Sequence, residues 1–118
     1  MQRRRWRLYR TSAGRSPVRE FLDGLSDADA ASVAAAMRQV ALDGLVTARY
    51  LTGEIYEVRA DGDHQAYRIL FATEGLQGQV LLALEGFSKK TQRTPPARIA
   101  VAQRRLNDWR ARGRSSHG

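Results

Sequence analysis

A small α+β domain, with helices packed on an antiparallel sheet in the order β-α-α-β-β-β-α, is the fold class this sequence predicts. Three observations predict it. The chain has 118 residues, a length that fits one domain and buries roughly two-thirds of its extended-chain surface. Apolar residues recur at helical spacing as far as Gly44 and then switch to a period of two. Short Asp- and Gly-containing turns separate the period-two stretches, and turns that short join antiparallel strands. The single domain is expected to span residues 1–111, with residues 112–118 (RGRSSHG) a small, polar, disordered tail.

Residues 6–9 read as a short strand in which Arg5 and Arg7 alternate with Trp6 and Leu8. Ser16-Pro17 starts a helix, with a hydroxyl N-cap followed by Pro at the first helical position. Val18, Phe21, Leu22 and Leu25 form its apolar stripe. Ser26 starts a second helix, with Asp29 completing an Asp variant of the capping box. Val33, Met37, Val40 and Ala41 line that helix, and Gly44 closes it. The two form a helical hairpin.

Residues 54–60 (EIYEVRA) then alternate, with Tyr56 and Val58 set apart from Glu57 and Arg59, and Asp61 to His64 form a turn. Residues 66–73 (AYRILFAT) make a second strand of the meander. Residues 80–84 (VLLAL) are apolar on both faces, as in a central strand. Thr94-Pro95-Pro96 opens a last helix, with Ile99, Ala102, Leu106 and Trp109 on its apolar side.

Composition narrows the chemistry. The chain has no cysteine, which excludes a disulfide scaffold, a Cys-based zinc site, an iron–sulfur cluster and a thiol nucleophile. Its two His, at 64 and 117, do not make a usual zinc site. No apolar run approaches the ~20 residues that span a bilayer, and the basic N-terminus lacks the apolar segment of a secretory signal. A cytoplasmic protein without membrane contact is expected.

The net charge of +8 is unevenly divided. Residues 1–20 hold seven Arg and one Glu, residues 21–86 four Arg and ten acids, and residues 87–118 nine Lys and Arg and one Asp. Basic ends around an acidic middle point to one polyanion-facing surface. Eighteen of the twenty basic residues are Arg, whose planar fork suits phosphate.

Two constellations carry the chemistry. Residues 85–95 (EGFSKKTQRTP) follow the most apolar strand and gather Lys89, Lys90 and Arg93 among hydroxyls. They read either as a phosphate-contacting segment on a rigid strand end or as a solvated basic loop with an N-cap at Thr94. Gly86 there allows close backbone approach. The second constellation is Arg59 with Arg68. A hairpin closed about Asp63-His64 sets them opposite each other on one face, where like charges repel. An anion must lie between or above them: Glu57 on the same face, or an RNA phosphate. Arg5 and Arg7, in the basic N-terminus, are further candidates for RNA contact. His64 is either an acid/base in the turn or simply exposed.

These segments resemble the phage-derived killer-protein branch of the RelE/HigB toxins. The resemblance rests on Tyr56-Glu57-Val58-Arg59, on Tyr67-Arg68-Ile69-Leu70-Phe71 and on the run from Leu84 through Pro95, and it covers about residues 6–110. It implies a small RelE-like fold and the toxin of a type II toxin–antitoxin pair. Such a toxin is an endoribonuclease that works without metal or other cofactor, in many cases on mRNA in the ribosomal A site. The RNA 2′-hydroxyl attacks the neighbouring phosphate, leaving a 2′,3′-cyclic phosphate. Arg68 matches the phosphate-stabilising Arg, Arg59 a nearby backbone-binding Arg, and Lys89 and Lys90 the basic residues after the last strand. Partners implied are mRNA, the ribosome and a cognate helix-turn-helix antitoxin, through which alone the toxin would meet DNA.

The sequence also departs from that pattern. Glu57 stands where the best-studied RelE members carry Lys, Pro95-Pro96 where they use a Tyr, and no His falls between 85 and 95. That leaves Glu57 or Lys89 to take the 2′ proton and Lys90 or Arg93 to act on the leaving oxygen, or else catalysis by Arg electrostatics and ribosomal RNA geometry. The alternatives are a non-catalytic RNA- or DNA-binding module on a degenerate toxin fold, and basic ends that dock an acidic partner.

Overall fold

The structure, a computed structural model, describes residues 3–89 and 93–117, with side chains through Gly113. Its strands are β1 (Arg5–Leu8), β2 (Arg49–Thr52), β3 (Ile55–Asp61), β4 (Ala66–Glu74) and β5 (Val80–Lys89). Its helices are α1 (Pro17–Asp23), α2 (Asp27–Asp43) and α3 (Pro96–His117). The class is α+β, as the change of period predicts. The strands form one sheet in the order β1-β5-β4-β3-β2.

Two details differ from the expected antiparallel meander. The sheet is mixed, because β1 pairs with β5 in parallel, Arg5 beside Val80 and Leu8 beside Ala83. The two strands are separated in sequence by both helices and by β2 to β4, which meets the long connection that a parallel pair requires. A further strand, β2, pairs antiparallel with β3 at the other edge. Its four residues are largely exposed, too short and too polar for a period-two count to detect. In addition, α3 continues to His117, through the stretch read as a disordered tail. Among the described residues no helix is long and apolar enough to cross a membrane.

Each face of the sheet has its own core. On one face α1 and α2 close over Val58, Ile69, Phe71 and Leu81 with Val18, Val33 and Val40. On the other, α3 brings Ala102 and Leu106 onto Ile55, Leu70, Leu82, Leu84 and Phe87. Gly86 makes the first packing possible: a Cβ there would stand 2.6 Å from the Phe21 ring. The close approach that its lack of a side chain suggested is therefore made by α1.

The N-caps divide. Ser26 caps α2 by accepting from Asp29 N at 3.2 Å. Asp29 does not complete a capping box; it accepts from Tyr67 Oη at 2.5 Å and Asp63 N at 3.2 Å, tying α2 to the β3–β4 turn. Ser16 is in the N-cap position of α1 but makes no side-chain cap bond. Thr94 is not the cap of α3 either. Arg98 N and Ile99 N bond to Pro95 O, which leaves the Thr94 hydroxyl free for the sheet.

The feature that positions the site is a bulge in β5. Leu70 pairs with Glu85, yet Phe71 pairs with Ala83, so Leu84 is an extra residue. Before it the even-numbered residues Leu82 and Leu84 face α3; after it the odd-numbered Phe87 does. Glu85, beside the bulge, also meets α3, through Arg98 at 3.1 Å and Arg105 at 3.2 Å.

Candidate functional site

Glu57 lies at the centre. The pleat of β3 turns Glu57 and Arg59 to the same side, and Glu57 is wholly buried, at 0 % exposure. A carboxylate removed from water is costly unless paired, and this one is surrounded by donors. Arg59 Nε donates to Oε1 at 2.8 Å, Arg68 Nε stands 3.6 Å from the same oxygen, and Thr94 Oγ1 donates to Oε2 in a short contact.

Arg59 and Arg68 lie directly opposite each other across β3 and β4, the register that the Asp63-His64 turn predicts. Glu57 supplies the anion between them and offsets their repulsion. Arg68 is buried; its Nη1 donates to Tyr67 O at 3.1 Å, while its Nε has no hydrogen-bond partner among the described residues. Burial pulls its guanidinium below the ordinary value, Glu57 opposes that shift and Arg59 adds to it.

Lys89 ends β5 opposite Ala66. Its Nζ is shielded from solvent and has no hydrogen-bond partner among the described residues. Burial pushes its ammonium below the ordinary lysine range; Glu57 opposes this, and Arg68, Arg59 and Arg49 add to it. A buried lysine so placed exchanges its proton more readily than a surface lysine.

Beside Glu57 opens a cleft of about 300 Å³ lined by Arg49, Leu51, Arg59, Arg93, Thr94 and Ile99. Three arginines, from β2, from β3 and from the segment that leads into α3, thus converge on one hollow. Arg49 and Arg93 are exposed and have no acidic partner among the described residues. A shallow hollow of about 420 Å³ next to it is lined by Lys89, Asp61 and His64, and His64 is exposed.

Of the residues singled out in the sequence, Glu57, Arg59, Arg68 and Lys89 form one cluster and Arg93 joins it across the cleft. Lys90 lies outside the described residues. Arg5 and Arg7 do not join: β1 pairs with residues 80–83 of β5, six residues short of Lys89, or roughly 20 Å at the rise of a strand. Charge counts along a sequence carry no such geometry. Arg49 escaped the sequence reading because its strand did. Thr94 was read as a cap, yet its hydroxyl holds Glu57.

The resulting arrangement is a cleft lined by three arginine forks, a chemistry that suits a phosphodiester. Of the three, Arg59 is fixed by its pair with Glu57, while Arg49 and Arg93 are exposed. Residues 20–107 match the model of a family described as phage derived protein Gp49-like (DUF891). Among curated proteins nothing matches the chain.

Proposed function

The chain belongs to the phage-derived Gp49-like family, a toxin-like family of toxin–antitoxin systems, and from that membership we propose that it is a metal-independent endoribonuclease acting on mRNA at the ribosome. The observation that carries this reading is the arginine-lined cleft of about 300 Å³ beside a buried, cation-bound Glu57. Membership also implies an antitoxin partner, and we take it to be a helix-turn-helix protein.

In this mechanism Arg49 and Arg93 hold the phosphates that flank the cut, and Arg59 faces the scissile one. Arg68 lies beneath and adds its charge as negative charge develops on phosphorus. Glu57 is a support and not the base, because both its oxygens are engaged, whereas the Lys89 amine has no hydrogen-bond partner among the described residues. Lys89 takes the 2′ proton. The O2′–P bond forms, the P–O5′ bond breaks, and the leaving 5′ oxygen is protonated from water at the open mouth of the cleft. The products are a 2′,3′-cyclic phosphate and a 5′-hydroxyl.

Induced expression followed by mapping of RNA ends tests this. Growth should stop, and new cyclic-phosphate ends should appear within coding regions. The double variant Arg59→Ala/Arg93→Ala should remove both effects while staying folded. RNA that is bound but left intact would mean a binding module on a toxin fold.

A further inference from the structure

A second hollow, of about 260 Å³, lies at the other end of the molecule, lined by Arg7, Leu8, Arg10, Ser16, Arg19 and Trp109. Its charge is held differently from that of most arginines on α3, and in the same way as that of Arg49 and Arg93 in the first cleft. On α3, Arg98, Arg105, Arg110 and Arg112 are each paired with Glu or Asp. Arg7, Arg10 and Arg19 have no acidic partner among the described residues. Arg7 is nonetheless ordered, with its guanidinium 5.1 Å above the Trp109 ring, and Arg112 Nη2 donates to Arg10 O, which fixes that turn. The Arg7 fork and the backbone that carries Arg10 are thus held in place without an acidic partner.

The location matters as much as the charge. Trp109 is ten residues along α3 from Ile99, which lines the first cleft. At a helical rise of 1.5 Å the two hollows stand roughly 15 Å apart along one helix. The first lies beside Ile99 of α3, and the second lies between Trp109 of α3 and Ser16 and Arg19 at α1.

The geometry points to a second RNA-backbone site in this hollow, where Arg7, Arg10 and Arg19 hold phosphates of the same RNA whose scissile phosphate occupies the cleft. This inference rests on the endoribonuclease reading. The apolar part of the lining is small: Leu8 is half-buried in the core below, and the Trp109 ring is covered by the Arg7 guanidinium, so what the hollow offers a ligand is chiefly three arginine forks. RNA needs only the phosphate charge. One strand reaching both hollows binds more tightly than either alone, because the second contact is intramolecular.

Fluorescence anisotropy with 2′-O-methyl oligonucleotides, which resist cleavage, tests it. A dinucleotide, with a single phosphodiester, is confined to the cleft, and a strand of about 16 nucleotides reaches both sites. The triple variant Arg7→Ala/Arg10→Ala/Arg19→Ala should bind the dinucleotide as the wild type does. It should bind the long strand about tenfold or more weakly, with the slope of log affinity against log salt reduced by about 2, as three lost contacts to a single strand require. Arg10→Glu/Arg19→Glu leaves Arg7 on Trp109 and should show the same loss if the triple variant fails to fold. Wild-type affinity and slope for the long strand in both variants would overturn the inference and leave the cleft reading intact. A wild-type protein that binds neither oligonucleotide would overturn both. Charge reversal that breaks co-purification with the antitoxin while RNA binding is unchanged would make the hollow a protein contact, which also overturns the inference.

Discussion

Glu57 and Lys89 carry opposite burdens. Glu57 is buried with its counter-ions, so Glu57→Gln leaves Arg59 and Arg68 facing each other without an anion. Breaking a buried pair in this way costs about 3–5 kcal/mol, which a urea denaturation midpoint measures directly. Lys89 is buried with no hydrogen-bond partner among the described residues. Its folded pKa is below the unfolded one, so the unfolded chain binds more protons in that window and stability rises as pH rises through it. At neutral pH the lysine is therefore destabilising. Lys89→Met should raise stability by about 1 kcal/mol, flatten the rise of stability with alkaline pH and abolish cleavage. Thermal melts at several pH values, paired with RNA end mapping, read all three. Much of this cluster was legible in the sequence. Period two put Glu57 with Arg59, and the Asp63-His64 turn put Arg59 opposite Arg68. The hydrogen bond from Thr94 was not legible, because a hydroxyl before two prolines reads first as a helix cap.

Among the elements, β5 decides the most. Strict alternation from Leu82 and Leu84 would send Gly86 and Ser88 toward α3 and Lys89 away from it. The extra residue at Leu84 reverses the phase, so that Lys89 shares a face with Arg68. No signal in the apolar run marks the bulge, since residues 80–84 are apolar on both faces of the strand and carry no alternation whose phase could be seen to change. The same strand holds α1 through Gly86. A methyl group at that position meets Phe21 at 2.6 Å and Ile69 at 3.1 Å. Gly86→Ala should therefore cost about 1–3 kcal/mol from overpacking. The cleft lies on the opposite face of the sheet, so RNA affinity should stay within a factor of about two of wild type in the folded fraction. Denaturation and anisotropy together separate those effects. The edge strand β2 shows the converse limit: four exposed residues contribute Arg49 to the cleft and leave almost no periodic trace.

Across the whole molecule the charges sort into paired and unpaired sets. Arg110 bridges Glu54 and Glu74 at 2.6 and 2.8 Å, Arg15 holds Glu20 at 2.6 Å, and Arg112 holds Asp108 at 3.0 Å. Hydrogen bonds from Arg15 and Arg110 hold Glu20 and Glu54 below their ordinary 4.5, and one from Tyr9 chiefly holds Asp108 below 3.8. Carboxylates with depressed folded pKa values stabilise above the unfolded value and lose that contribution as pH falls through the folded one. Melting temperature should hold from neutral pH to about 5 and drop below about 4.5, modestly because these pairs are largely exposed. Net charge, by contrast, said only that the protein meets polyanions; the split into two hollows appears only once β1 is seen beside the far end of β5. That pairing also sets an order of events. Arg5 must wait for Val80, and the cleft must wait for Arg93, so neither the sheet nor the site can close until most of the chain has been synthesised. Contacts so distant in sequence form late and slowly. The last contacts to form are therefore the ones that complete the cleft.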